Sequence, residues 1–189
     1  MSVRRATRSD VPHMVDLSEQ KRAQYEKYQP LFWRKANDSR AKQLTFFETQ
    51  LNNEQLVPLV HESDHNVDGF IIANLRNGRE CSVDDFAIAA ESAWETIGKS
   101  LLQAAGDAAK QRGIQRYMVV CGHLDQPKRQ MLSNVGLAIE QYWYTAAIQS
   151  AQAETPGIAL RKAVPTDARE WQRLREPQTA SFLKSNVKI

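Results

Sequence analysis

The stretch from residue 80 to residue 121 constrains the fold of this chain more than any other. A strand pattern over Glu80–Ala89 is followed by Ala93–Arg112, where Ile97, Leu101, Leu102, Ala105 and Ala108 recur at helical spacing. Gly113 closes that run, as glycine does at helix C-termini. Arg116–Cys121 is then a short apolar strand. Strand, long helix and strand in immediate succession predict a βαβ crossover, with the two strands parallel in one sheet. Parallel strands are usually covered on both faces, so Arg116–Cys121 is expected to be buried on both.

The rest of the chain fits around this unit. Ser2–Ala6 reads as a strand. Ser9 or Asp10 caps a helix with Pro12 in its first turn, and Val11, Met14, Val15 and Leu17 carry an apolar stripe toward Tyr28. Pro30 breaks that helix. Trp33–Asn37 and Lys42–Asn52 are the next helical stretches. Strands at Gln55–Glu62 and Gly69–Leu75 flank a polar turn at Asp64–Asp68, and Asn77-Gly78 turns the chain into Glu80–Ala89. Pro127–Val135 is a helix ended by Gly136, and Ile139–Ile148 an aromatic-rich final strand. The order β-α-α-β-β-β-α-β-α-β predicts an α/β fold with a mixed sheet, an antiparallel meander running into the crossover. Residues 1–150 form this domain. Residues 151–189 form a C-terminal extension: a small-residue linker, Ala151–Gly157, precedes Ile158–Asp167. There Arg161, Ala163 and Asp167 repeat the placing of Arg4, Ala6 and Asp10. The echo is either chance or a truncated repeat of the first strand and helix. The last residues, Ser181–Ile189, are expected to fray.

Bulk properties narrow the function. Of 189 residues, 42% are hydrophobic and 25% charged, as in an ordinary cored domain. The net charge of +3 suits an anionic ligand but does not by itself call for nucleic acid, which is not expected as a partner. Cys81 and Cys121 lie far apart, with no CxxC and no Cys/His pair at zinc spacing, so free thiols and no metal are expected. Met1–Arg5 lacks the apolar run of a signal peptide, and no stretch approaches the ~18 apolar residues of a membrane span. A cytoplasmic protein with no membrane partner is expected.

Asp85–Leu102 is a strand, a turn and a helix start. The N–H groups and partial positive charge of a helix N-terminus form a seat for a pyrophosphate. Gly98 would let a phosphate approach the backbone, and Lys99 could add charge. This stretch resembles the acetyl-CoA signature of the GNAT superfamily, in which a strand end is followed by a loop Arg/Gln-x-x-Gly-x-Gly/Ala opening a long helix. Phe86-Ala87-Ile88 fall on the strand end and Ala93–Gly98 on the loop. Gly98 matches the last glycine, whereas Ala93 and Thr96 replace the first basic or amide residue and the first glycine. Val3–Asp10 resembles the family's opening, and Asp125–Leu137 its last helix, with Asp125, Lys128 and Leu132 at the places of Asn, Ala and Tyr. The resemblance covers about residues 2–148. It implies acetyl-CoA as co-substrate, its pantetheine beside Ile88, Ala89 and Ala90. Its pyrophosphate would lie at Trp94, Glu95, Thr96, Ile97, Gly98 and Lys99. Asp125 and Lys128 complete the implied cofactor site.

Acyl transfer to an amine needs a base, a donor to the oxyanion and a proton for the thiolate. A backbone N–H near Ile88 or Ala89 could serve the oxyanion, and a bulge there would splay the strand to open a slot. Asp84 and Asp85, adjacent acids on an apolar strand, are the first candidates for the base, and His123 the next. Leu132 replaces the tyrosine that serves many family members as acid, leaving Tyr142 or Tyr144. Tyr25, Tyr28, Phe32, Trp33 and Arg34 are candidate acceptor-binding residues, suited to a flat or anionic acceptor. The expected function is N-acetyl transfer to a small-molecule or peptide amine; the rival is a degenerate GNAT-like module for CoA sensing or protein interaction. The oligomeric state stays open, a homodimer included.

Overall fold

The computed structural model describes residues 2–75 and 80–144, together with 162, 164–168 and 173. The chain divides into two units, Met1–Ala147 and Ile148–Ile189. In the first unit, strands β1 (Ser2–Arg5), β2 (Leu56–Ser63), β3 (Asn66–Asn74), β4 (Glu80–Ile88) and β5 (Arg116–Val119) form one sheet in that spatial order. The first four pair antiparallel and β4 pairs parallel to β5. Helices α1 (Val11–Glu26), α2 (Pro30–Trp33) and α3 (Ser39–Leu51) lie between β1 and β2, α4 (Lys99–Gln111) between β4 and β5, and α5 (Gln126–Asn134) after β5.

Two apolar layers sandwich the sheet. Val11, Met14, Val15 and Leu17 of α1 and Phe47 of α3 pack on Val60, Phe70 and Ile72 on one face. Leu101, Leu102 and Ala105 of α4 and Met131 and Leu132 of α5 pack on Ile71, Val83 and Phe86 on the other. Asp64 and His65 both take positive φ, the conformation of a two-residue turn that matches the twist of β2 and β3.

One irregularity in β4 positions everything that follows. Ile71 pairs with Phe86 but Ala73 with Val83, so β4 carries one extra residue at Asp84–Asp85. That bulge reverses the alternation of the strand. Cys81 and Val83 face the α4 layer before it, and Phe86 and Ile88 face the same layer after it.

Three expectations are corrected among the described residues. Strand β5 lies at the sheet edge rather than covered on both faces, with Arg116 and Met118 exposed. Ile139–Tyr144 is not a strand, and Ile139, Tyr142, Trp143 and Tyr144 are exposed; residues 145–148 lie outside the described residues. The short helix after α1 begins at Pro30, where proline suits the first helical position, rather than at Trp33. Asn77-Gly78, Ala151–Gly157 and Ser181–Ile189 also lie outside.

Part of the C-terminal echo is described. In the first unit, Thr7 N–H donates to Asp10 Oδ2 at 2.7 Å around the 3₁₀ turn Arg8–Asp10. In the second, Val164 N–H donates to Asp167 Oδ2 at 2.8 Å around Pro165–Asp167.

Candidate active site

The parallel pair opens into a fork. Pairing of β4 with β5 ends at Val83 and Val119, and the last bond across is Val120 N–H to Val83 O at 2.9 Å. Beyond it β4 continues to Ile88. Ala89 N–H is given to Asp68 O at 2.8 Å, on the β3 side. Backbone polar groups alternate sides along a strand, so those of Phe86 and Ile88 face the fork. This narrows the candidate oxyanion donor from Ile88 or Ala89 to Ile88.

A lysine reaches into that opening. Lys128 Nζ donates to Phe86 O at 3.2 Å and to Val120 O at 3.1 Å, one carbonyl from each side of the fork. The amine also sits 5.0 Å from the Phe86 ring centroid and 5.4 Å from that of Trp94. It is 2% exposed, and burial holds its pKa below the usual lysine range.

Asp125, fully buried, is the hub beneath it. It caps α5 by accepting from Lys128 N–H at 3.3 Å, and Tyr25 Oη donates to its Oδ2 at 2.6 Å. Lys21 Nζ donates to the same oxygen at 3.1 Å, to Glu91 Oε1 at 2.6 Å and to Gln24 Oε1 at 2.9 Å. Above this cluster, Gln20, Lys21, Gln24, Lys27, Ile88 and Glu91 line an open cleft of about 330 Å³ between α1 and the end of β4.

The expected catalytic residues separate by environment. Asp84 is exposed at the bulge, whereas Asp85 is half-buried. Burial pushes the Asp85 carboxyl up to about 6, the Asp84 charge adds to this, and Arg22 and Lys128 oppose it. His123 is exposed, its ring edge-on to Tyr28 at 5.3 Å. Tyr142 and Tyr144 are solvent-facing, and Leu132 is a core residue.

Trp94–Gly98 form a single π turn leading into α4. Ala89, Ala90, Glu95, Thr96 and Lys99 are exposed there, and Ile97 is half-buried. Gly98 has a packing role: a Cβ on it would lie 2.5 Å from Cε3 of the buried Trp94 indole. Glu95 accepts from Asn134 Nδ2 at 2.6 Å, tying the turn to the end of α5. Of the expected acceptor residues, Tyr25 is committed to Asp125. Tyr28 packs on Tyr25 and His123, and Trp33 lies 4.9 Å from both Tyr25 and Phe32. Phe32 and Arg34 are exposed.

The residues fit CoA at both ends, unequally. The fork offers the peptide groups of Ile88 to a pantetheine arm, and the exposed first turn offers helix N–H groups to a pyrophosphate. Glu91 and Glu95 weaken that second seat, where Lys99 is the basic side chain. Sequence reasoning missed Lys21, Gln24 and Glu91. The available signal was Lys21 itself, which continues the buried stripe Met14, Ser18, Lys21, Tyr25 at helical spacing.

A mixed open sheet, forked between its parallel strands beside a helix N-terminus, defines the acyl-CoA N-acyltransferase fold class. Residues 18–136 match the Acetyltransferase (GNAT) family, and the chain belongs to that family. No curated protein matches the sequence. Solved structures share the fold at low identity. A predicted acetyltransferase of Clostridium acetobutylicum, solved with acetyl-CoA, is 17% identical, with a TM-score of 0.60 over 77% of this chain and 95% of that one. A mutant Bacillus halodurans protein is 12% identical, with a TM-score of 0.69 over 79% and 100%. An aminoglycoside 6'-N-acetyltransferase of Acinetobacter haemolyticus is 16% identical, with a TM-score of 0.59 over 79% and 100%.

Proposed function

We propose that this protein transfers an acetyl group from acetyl-CoA to an amine, with Asp85 as the base. The observation that carries the reading is the fork between β4 and β5 with the Asp85 bulge at its opening. Bound acetyl-CoA supplies the acyl group as an activated thioester. The chain's own groups divide the remaining work. Asp85, poised near pH 6, takes a proton from the acceptor ammonium in neutral solution. Ile88 N–H, directed into the fork, donates to the developing oxyanion. The first turn of α4 holds the diphosphate through N–H groups, aided by Lys99.

The cleft over Lys21, Gln24 and Glu91 is the proposed acceptor seat, because it lies between α1 and the end of β4, and the charge of Arg22 on α1 acts on Asp85. Acyl-CoA is an intracellular substrate, so the reading entails a cytoplasmic enzyme. Residues 151–189 are proposed as a separate extension built as a partial repeat, on the strength of the matching 3₁₀ turns.

Two features favour the rival, a catalytically degenerate module for CoA sensing or protein interaction: Lys128 stands in the fork and Glu95 at the phosphate seat. The test is calorimetry with CoA, followed by thiol release from acetyl-CoA against an amine library. Binding with release on at least one amine supports the enzyme; binding without release on any supports the rival. Lys99→Glu should weaken CoA binding, and equal affinity in that variant would remove the phosphate assignment.

A further inference from the structure

We propose that the acceptor is a free amino acid, seated in the cleft between α1 and the end of β4 with its carboxylate against α1 and its amine toward β4. The inference rests on the reading of that cleft as the acceptor seat.

The cleft has two unlike walls. Gln20, Ala23, Gln24 and Lys27 form the first, at the i, i+3, i+4, i+7 spacing that puts side chains on one face of a helix. Ile88 and Glu91, at the end of β4 and just past it, form the second. Buried Lys21 bridges the two. An ammonium has three donors and no acceptor, and all three are taken here. Nζ donates to Gln24 Oε1 at 2.9 Å, to Glu91 Oε1 at 2.6 Å and to Asp125 Oδ2 at 3.1 Å.

That saturated ammonium fixes what its neighbours present. Gln24 must turn its oxygen to Lys21, so its Nε2 is left on the other side, open to solvent and without a partner among the described residues. Lys27, exposed at the C-cap of α1, forms no ion pair among those residues. The α1 wall thus offers amide hydrogens and an unpaired ammonium, the donors that a carboxylate takes. Across from it, Glu91 gives one oxygen to Lys21 and keeps Oε2 without a partner among the described residues. One wall suits an anion and the other an ammonium. A diamine would set its second cation against Lys27 and the Gln24 amide hydrogens, whereas an amino acid satisfies both walls at once. The cleft volume of about 330 Å³ lies at the low end of the roughly 300–1,000 Å³ of small-molecule sites, as a ligand of this size requires.

The experiment follows thiol release from acetyl-CoA with the standard amino acids, their α-amides and the matching amines that lack the carboxylate. It uses the wild type, Lys27→Glu and Lys27→Arg. Calorimetry titrates CoA into each protein, and then the same compounds with CoA present. At least one amino acid should exceed its amide and its decarboxylated amine in kcat/KM by roughly 10-fold or more, as expected of a hydrogen bond to a charged group. Lys27→Glu should remove that preference, chiefly through KM and with CoA affinity unchanged, and Lys27→Arg should keep it. A merely structural role for Lys27 would lower turnover of all the amines alike, and that result overturns the proposal. So do amides or decarboxylated amines used as well as the free amino acids, or a preference that survives Lys27→Glu. If no amine releases thiol, the transferase reading fails, and calorimetry judges the seat by itself. Tighter binding of an amino acid than of its amide, lost in Lys27→Glu, upholds the seat; equal or absent binding overturns it.

Discussion

Tyr25 Oη donates a 2.6 Å hydrogen bond to Asp125 Oδ2, joining the C-terminal half of α1 to the cap of α5. The bond is inaccessible to water, and the same oxygen also holds Lys21. A carboxylate with no exposure is thus shared by a phenol, an ammonium and a helix N-terminus.

Breaking that hub should be costly. Asp125→Ala leaves Lys21 buried beside a lost partner and uncaps α5, and should destabilise by roughly 3–5 kcal/mol. Tyr25→Phe removes one donor and should cost about 1–3 kcal/mol. Urea denaturation of the three proteins measures both. A loss under ~1 kcal/mol for Asp125→Ala would show the cluster to be energetically idle.

Asp85 makes stability fall as pH rises. Its carboxyl titrates near 6 when folded, against an ordinary 3.8. Between those values the folded state binds more protons than the unfolded, so stability drops from about pH 4 to pH 6 and stays lower above. Two pKa units set a ceiling of about 3 kcal/mol, reduced by water reaching the half-buried group. Asp85→Asn should therefore raise the melting temperature at pH 7.5 and leave it nearly unchanged at pH 4. On a verified substrate the same variant should lose roughly 10²-fold or more in turnover. Gained stability with full turnover would remove Asp85 from the mechanism.

Asp10 works in the opposite sense. Hydrogen bonding from Arg4 holds its carboxyl down to about 2, with Thr7 N–H and Oγ1 assisting against burial. Its contribution is present above the unfolded value and disappears as pH falls through 2. Asp10→Asn should cost about 2 kcal/mol at pH 7 and nothing at pH 1.5. Denaturant melts at the two pH values decide it.

Gly98 should prove to be a packing residue first. Gly98→Ala forces a Cβ onto the Trp94 indole and should cost roughly 1–3 kcal/mol. In a Trp94→Leu background the penalty should shrink, because the clashing ring is gone. A double-mutant cycle with no coupling between the two positions would contradict the contact.

Local periodicity and turn chemistry were enough to read much of this fold from sequence. The apolar stripe through Leu101, Leu102 and Ala105 with Gly113 behind it, and the polar turn read at Asp64–Asp68, which the structure tightens to Asp64–His65, are decided by neighbours in the chain. The βαβ crossover and the family resemblance follow from them. The fork required tertiary structure. An extra residue in β4 is invisible until β3 supplies the register, so Asp84 and Asp85 look equivalent in sequence and part company at the bulge. Lys21 and Lys128 occupy core positions of their helices, yet a charged residue in an apolar stripe reads as a solvent-facing break. Their burial depends on Asp125, Glu91 and the fork carbonyls. Asp125 lies 104 positions from Lys21, and Phe86 lies 42 positions from Lys128. Sequence determined which elements form, because each is stabilised by its own spacing. Packing alone decided which polar groups meet, because the desolvation that makes those meetings matter exists only once the layers have closed.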